Sequence, residues 1–80
     1  MDARTAVIAS LGAIAPETDF DNLDPDADLR DELDLDSMDF LNFVIGLHDL
    51  IGIEVPERDY PQMLTLDMCV RYLDAALAKQ

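Results

Sequence analysis

Apolar residues recur at helical spacing in three separate stretches of the chain. In the first, Val7, Ile8, Leu11 and Ile14 follow the i, i+3/i+4, i+7 pattern of one helix face. Asp2 is placed to cap that helix, and Pro16 discourages its continuation beyond about Ala15. The second stretch is the best defined. Asp36 is a good N-cap, Asp39 sits at the acid-favouring third position, and the apolar pattern persists to Ile51. Gly52 supplies a natural stop. The third helix opens at Thr65 as N-cap and buries Leu66, Cys69, Val70, Leu73 and Ala76 or Leu77.

From Pro16 to Asp36 the helical period is lost and turn chemistry takes over, with Asp24-Pro25 marking a turn. Phe20, Leu23, Leu29, Leu33 and Leu35 punctuate this region irregularly, which predicts a long loop pinned to the core, with one helical turn at Leu29–Leu33. Loops of this length in a compact domain are more often functional than not. Ile53-Glu54-Val55 reads as extended because Val55 precedes Pro56, and Glu57–Tyr60 reads as a short helical turn stopped by Pro61. The pattern predicts an all-α fold, a small four-helix bundle of three main helices plus one short helix. A long loop joins the first two main helices, and residues 1–80 make a single domain.

On a helical wheel the second main helix shows two apolar faces. Phe40, Phe43, Val44, Leu47 and Ile51 cluster within about 100° of arc and form the core face. Opposite them, Met38, Asn42, Ile45 and Asp49 fall within about 60° of one another. Two arrangements account for Met38 and Ile45 on that side. Either the helix is central and buried nearly all round, or the pair forms a protein-docking strip ringed by carboxylates. Gly46 costs about 1 kcal/mol in a helix interior relative to alanine, which predicts close approach of another element beside it.

Size and composition narrow the chemistry. A chain of 80 residues buries only about 60% of its unfolded surface. One cysteine, Cys69, gives no disulfide framework, and one histidine, His48, rules out the usual Cys/His zinc site. The helical core must therefore hold the fold, and half the residues are hydrophobic. Asp2, Arg4, Ser10 and Gly12 interrupt any secretory pattern at the start, and no apolar run approaches the roughly 18 residues of a membrane span. The expectation is a soluble, cytoplasmic monomer with no membrane insertion.

Eighteen acids against five bases give a formal net charge of −13. Such a surface repels nucleic acid and anionic membranes and steers association toward basic partners. Eleven of the acids lie between Glu17 and Asp39, which raises the question of calcium. An EF-hand loop starting at Asp24 would have Leu29 where glycine is required and Leu35 where glutamate is required. Frames from Asp19 or Asp34 fail at Leu23 and Met38. No metal site is expected, although the clustered carboxylates leave weak cation binding open.

Ser37 occupies the first turn of the second main helix. As a nucleophile it would need a base, and His48 lies eleven residues, about 16 Å, further along the same helix. No lysine is near and there is no Gly-x-Ser-x-Gly elbow, so hydrolysis by Ser37 is excluded and no enzymatic activity is expected. The exposed N–H groups and positive dipole end of a helix N-terminus do favour a phosphate. By that physics alone the favoured reading of Ser37 is a plain first-turn residue beside an Asp cap.

The run Leu33-Asp34-Leu35-Asp36-Ser37-Met38-Asp39 resembles the Asp-Ser-Leu modification site of acyl carrier proteins. The similarity continues through the helix order, the long acidic loop and Gly52-Ile53-Glu54-Val55-Pro56, and covers essentially the whole chain. It implies a carrier with a 4′-phosphopantetheine arm on Ser37, placed there from coenzyme A by a phosphopantetheinyl transferase. The arm's thiol would hold an acyl group as a thioester. It implies docking of acyl-transferring or acyl-modifying enzymes, with basic patches, on Asp36, Met38, Asp39, Asn42, Ile45 and Asp49. Phe43 and Leu47 would be the candidates to shelter the bound chain.

The sequence also departs from the family pattern. Met38 replaces the usual leucine after the serine, while Asn42 and His48 stand where carriers of fatty-acid synthesis typically have acids. A carrier for fatty-acid or lipid synthesis and a specialised carrier for other acyl or polyketide chemistry both stay open. So does an aminoacyl carrier, because D-alanyl carriers share Asp-Ser-Met, and so does an acidic adaptor that carries nothing.

Overall fold

The computed structural model describes residues 1–79, and its named elements are all helices. Helix α1 spans Ala3–Ile14, α2 Leu29–Glu32, α3 Ser37–Ile51 and α4 Leu66–Ala78, with a 3-10 helix at Glu57–Gln62 between the last two. The three long helices are those the periodicity predicts, and α1 packs against both α3 and α4. The short elements number two, because the helical turn expected inside the long loop is formed as α2.

Each long helix begins at the cap its sequence predicts. Asp2 accepts the Thr5 N–H at 2.8 Å, and Thr65 accepts the Met68 N–H at 3.1 Å. At its other end α3 closes on Gly52 in the left-handed conformation, φ 72°, which glycine adopts without a side-chain penalty. The 3-10 helix runs two residues further than expected, through Pro61 to Gln62. Proline removes an N–H donor, but the turns on either side close on Asp59 N–H to Pro56 O and Met63 N–H to Tyr60 O, each at 2.9 Å.

The buried face of α1 is rotated from the one expected. Val7 and Leu11 are buried, but Ile8 and Ile14 are only half-buried, while Ala3, Ala6 and Ser10 are inside. Those small residues let α3 approach. Ser10 Oγ donates to the Phe43 carbonyl of α3 at 2.8 Å, and a Cβ at Gly46 would collide with Ser10 Oγ. The close approach expected at Gly46 is therefore α1, with Ser10 at the contact.

The acidic loop is built by its own carboxylates. Asp19, Asp24 and Asp28 each accept the backbone N–H two residues on, at 3.2, 2.9 and 2.9 Å, forming Asx turns. Leu29 N–H donates to Leu64 O at 2.8 Å, and Asp67 N–H to Pro25 O at 3.0 Å, so the loop is tied to the start of α4. Phe20 and Leu23 pack against the core, and Leu29 and Leu35 are buried in it. Among the described residues, no cluster of three or more His, Cys, Asp or Glu side chains is arranged to hold a metal.

The rest of the core comes from α4 and the connection before it. Ile53 and Val55 are buried on either side of exposed Glu54, as an extended segment requires. Met63, which no periodicity assigns, is fully buried, and its carbonyl accepts the Cys69 S–H at 3.4 Å. Burial pushes the Cys69 thiol up to about 12, so it is not a thiolate at neutral pH. Cys69 is expected to resist alkylation by iodoacetamide in the native protein and to react after unfolding in denaturant. Mass spectrometry of quenched samples checks this, and rapid native labelling would contradict the packing.

Candidate functional site

Helix α2 ends in a way that delivers Ser37 to the surface. Leu35 N–H reaches back to Arg30 O at 2.9 Å, and Asp34 between them takes the left-handed conformation, φ 53°. This is the hydrogen bond of a Schellman-type stop, with aspartate where glycine is commoner. The reversal turns Leu35 into the core, where it is 8% exposed, and leaves Asp36 extended as the N-cap of α3.

At that N-cap a reciprocal capping box forms. Asp39 N–H donates to Asp36 Oδ1 at 2.8 Å, and Asp36 N–H donates to Asp39 Oδ2 at 3.3 Å. Phe40 N–H is satisfied by Asp36 O at 3.0 Å. The N–H groups of Ser37 and Met38 are left toward the open end of the helix. Ser37 itself is exposed, and its hydroxyl takes part in no hydrogen bond among the described residues. Asp36 and Asp39 do the capping, so the serine is spared for another use.

The remaining positions of the expected docking strip are also outward. Met38 is 64% and Ile45 48% exposed, which excludes a helix buried all round. Asp36, Asn42 and Asp49 are exposed, and Asp39 is half-buried. Leu41, which sequence reading missed, is exposed beside them; on the wheel it falls about 60° from Met38, at the edge of the same strip. Leu41 and Ile45 open onto a cleft of about 330 Å³ that Val44, His48, Glu54, Val55 and Tyr60 complete. Phe43 and Leu47 are completely buried and do not line it.

One further group lies beside the serine. The Phe40 ring meets Phe43 and Tyr60 edge to face, with centroids 5.7 and 5.0 Å away, and the Arg30 guanidinium lies 4.9 Å above it. Sequence reading gave Arg30 no role. Its signal was being the one lysine or arginine between Arg4 and Arg58.

The structure is thus a small helical bundle that presents an exposed serine hydroxyl at the start of its longest helix. The chain belongs to the phosphopantetheine attachment site family, whose family model matches residues 6–73. It is 26% identical over 81 residues to the acyl carrier protein of Micrococcus luteus, covering 98% of this chain and all of the relative. The acyl carrier protein of Lactobacillus johnsonii is 34% identical over 55 residues, 69% of each chain. Acyl carrier protein AcpXL of Mesorhizobium japonicum is 34% identical over 55 residues, 69% of this chain and 59% of the relative. No solved structure gives a significant match. The family is one of carriers, not enzymes, and its prosthetic group is covalent 4′-phosphopantetheine. The residues at the start of α3 fit that group, since an exposed oxygen is offered at a helix end that favours a phosphate. Among the described residues, no helix is long and apolar enough to cross a membrane.

Proposed function

We propose that this chain carries acyl groups on Ser37 and presents them to partner enzymes, acting as a single monomeric carrier domain. The observation that carries this reading is the exposed Ser37 hydroxyl, freed by the Asp36–Asp39 capping box. Bound there, 4′-phosphopantetheine supplies a terminal thiol that holds the acyl group as a thioester. Asp36 and Asp39 fix the first turn, so the attachment oxygen has a defined position relative to α3.

Partners in this reading are a phosphopantetheinyl transferase and acyl-handling enzymes with basic patches. They meet Met38 and Ile45 as apolar contacts, with Asp36, Asn42 and Asp49 around them, and −13 of net charge steers them in. Asn42 and His48 thin the acidic rim of α3, which supports a dedicated partner over one that reads charge alone. Phe43 and Leu47 are the candidates to shelter an acyl chain, and both are fully buried, so the chain reaches them only if the core opens.

The test is incubation with coenzyme A and a broad-specificity phosphopantetheinyl transferase, read by intact mass. One arm per chain is expected. A wild-type chain left unmodified in a competent assay would sink the carrier reading. For the docking strip, Ile45→Glu is expected to lower partner turnover at least tenfold while moving the melting temperature by no more than about 4 °C, since exposed substitutions stay within about 0.5 kcal/mol. A large loss of stability, or unchanged turnover, would remove Ile45 from the interface.

A further inference from the structure

Arg30 is placed to do something other than balance a neighbouring acid. The α2 turn and its surroundings carry Asp28, Asp31, Glu32 and Asp34, yet among the described residues the one ion pair within 4.0 Å is Arg71–Asp67. The Arg30 guanidinium carbon instead lies over Phe40, 4.9 Å from the ring centre. A guanidinium is weakly hydrated and stacks well on an aromatic face, which holds its stem while its N–H groups stay outward. Phe40 is held in turn by its edge-to-face contacts with Phe43 and Tyr60. The cation therefore rests on a rigid aromatic base.

That base stands next to the attachment serine. Ser37 and Phe40 are three residues apart on α3, which puts their Cβ atoms about 5–6 Å from each other. Arg30 and Phe40 also line a groove of about 510 Å³ with Glu57, Tyr60, Pro61 and Leu64, a large apolar residue left 38% exposed. A phosphodiester on Ser37 adds a negative charge to a helix end that already carries Asp34, Asp36 and Asp39. The open N–H groups of Ser37 and Met38 offset part of that repulsion, and Arg30 is the one nearby side chain able to offset more.

Resting on the reading of Ser37 as attachment point, we propose that Arg30, stacked on Phe40, is the anchor for the phosphodiester of the arm. The guanidinium offers paired N–H donors to phosphate oxygens, a geometry that lysine does not match. Tyr60, Pro61 and Leu64 give the adjoining groove an apolar wall for the branched, methyl-bearing part of the arm next to the phosphate.

The experiment starts with loaded protein, verified by intact mass. Side-chain 15N spectra are then compared between unloaded and loaded wild type, and 31P spectra between loaded wild type, Arg30→Gln and Arg30→Lys. Loading is expected to shift the Arg30 Nε resonance, and Arg30→Gln to shift the 31P signal and narrow it as the phosphate gains mobility. Arg30→Lys keeps part of the wild-type 31P shift. About 0.5 M salt reduces the wild-type difference, because the contact is exposed and screened. An Arg30 Nε signal that does not move on loading overturns the proposal, as does a 31P signal identical in wild type and Arg30→Gln. The wild-type comparison stands even where Arg30→Gln disturbs packing on Phe40. Failure to load at all overturns the carrier reading itself, a different and earlier result.

Discussion

Ser37→Ala is expected to gain no phosphopantetheine arm under conditions that load the wild type completely, and to keep its fold. The two halves of that result have different physical origins. Loading needs an oxygen at this position, and removing it leaves nothing to esterify. Stability does not need the oxygen, because the hydroxyl holds nothing and the cap is made by Asp36 and Asp39. Alanine is also the best helix former, so the change at an exposed first-turn site stays within about 0.5 kcal/mol. For a domain of this size that is a shift of no more than about 4 °C in melting temperature. Intact mass and a thermal melt on the same sample decide it. An arm found on Ser37→Ala would mean that another oxygen is the acceptor, and a collapsed melt would mean that Ser37 does hold the helix end.

Gly46→Ala is expected to destabilise the protein, against its own helix propensity. In an isolated helix the substitution gains about 1 kcal/mol. Here the new Cβ meets Ser10 Oγ, the hydroxyl that donates to Phe43 O at 2.8 Å in a buried contact between α1 and α3. Either the helices separate or the hydroxyl turns away and loses its bond, each costing about 1–3 kcal/mol. The net expectation is a loss of about 1 kcal/mol, or about 4–8 °C in melting temperature. Ser10→Ala removes the obstructing oxygen, and the remaining approach to Ser10 Cβ is 3.4 Å, an ordinary contact. The double substitution Ser10→Ala/Gly46→Ala is therefore expected to recover most of the loss, since residues in contact do not add. Additive losses in that cycle would show that the close approach is not what Gly46 is for.

Much of this was legible in the chain because it depends on neighbours in sequence. Asp2, Asp36 and Thr65 cap the helices that follow them, and Gly52 ends α3, because a cap is a contact between residues two to four positions apart. The run around Ser37 could be read the same way, as could the distance that keeps His48 from it. The core face of α3 followed from its periodicity. On α1 the spacing of the large apolar residues placed Ile8 and Ile14 on the core face with Val7 and Leu11, whereas the helix contact buries Ala3, Ala6 and Ser10 beside Val7 and Leu11.

The sequence by itself thus determined the helices, their ends, the acidic surface and the serine set at the start of α3, all products of local backbone chemistry and composition. The tertiary structure decided which residues those elements bring together across long separations. It put Ser10 against Gly46, Leu29 against Leu64, and Arg30 over Phe40 one turn from Ser37. It also chose which apolar side chains of α3 stay outside, since a helix wheel gives directions around an axis but not what lies there. Packing supplies the neighbour, so the exposure of Met38, Leu41 and Ile45, and any use made of it, belongs to the fold.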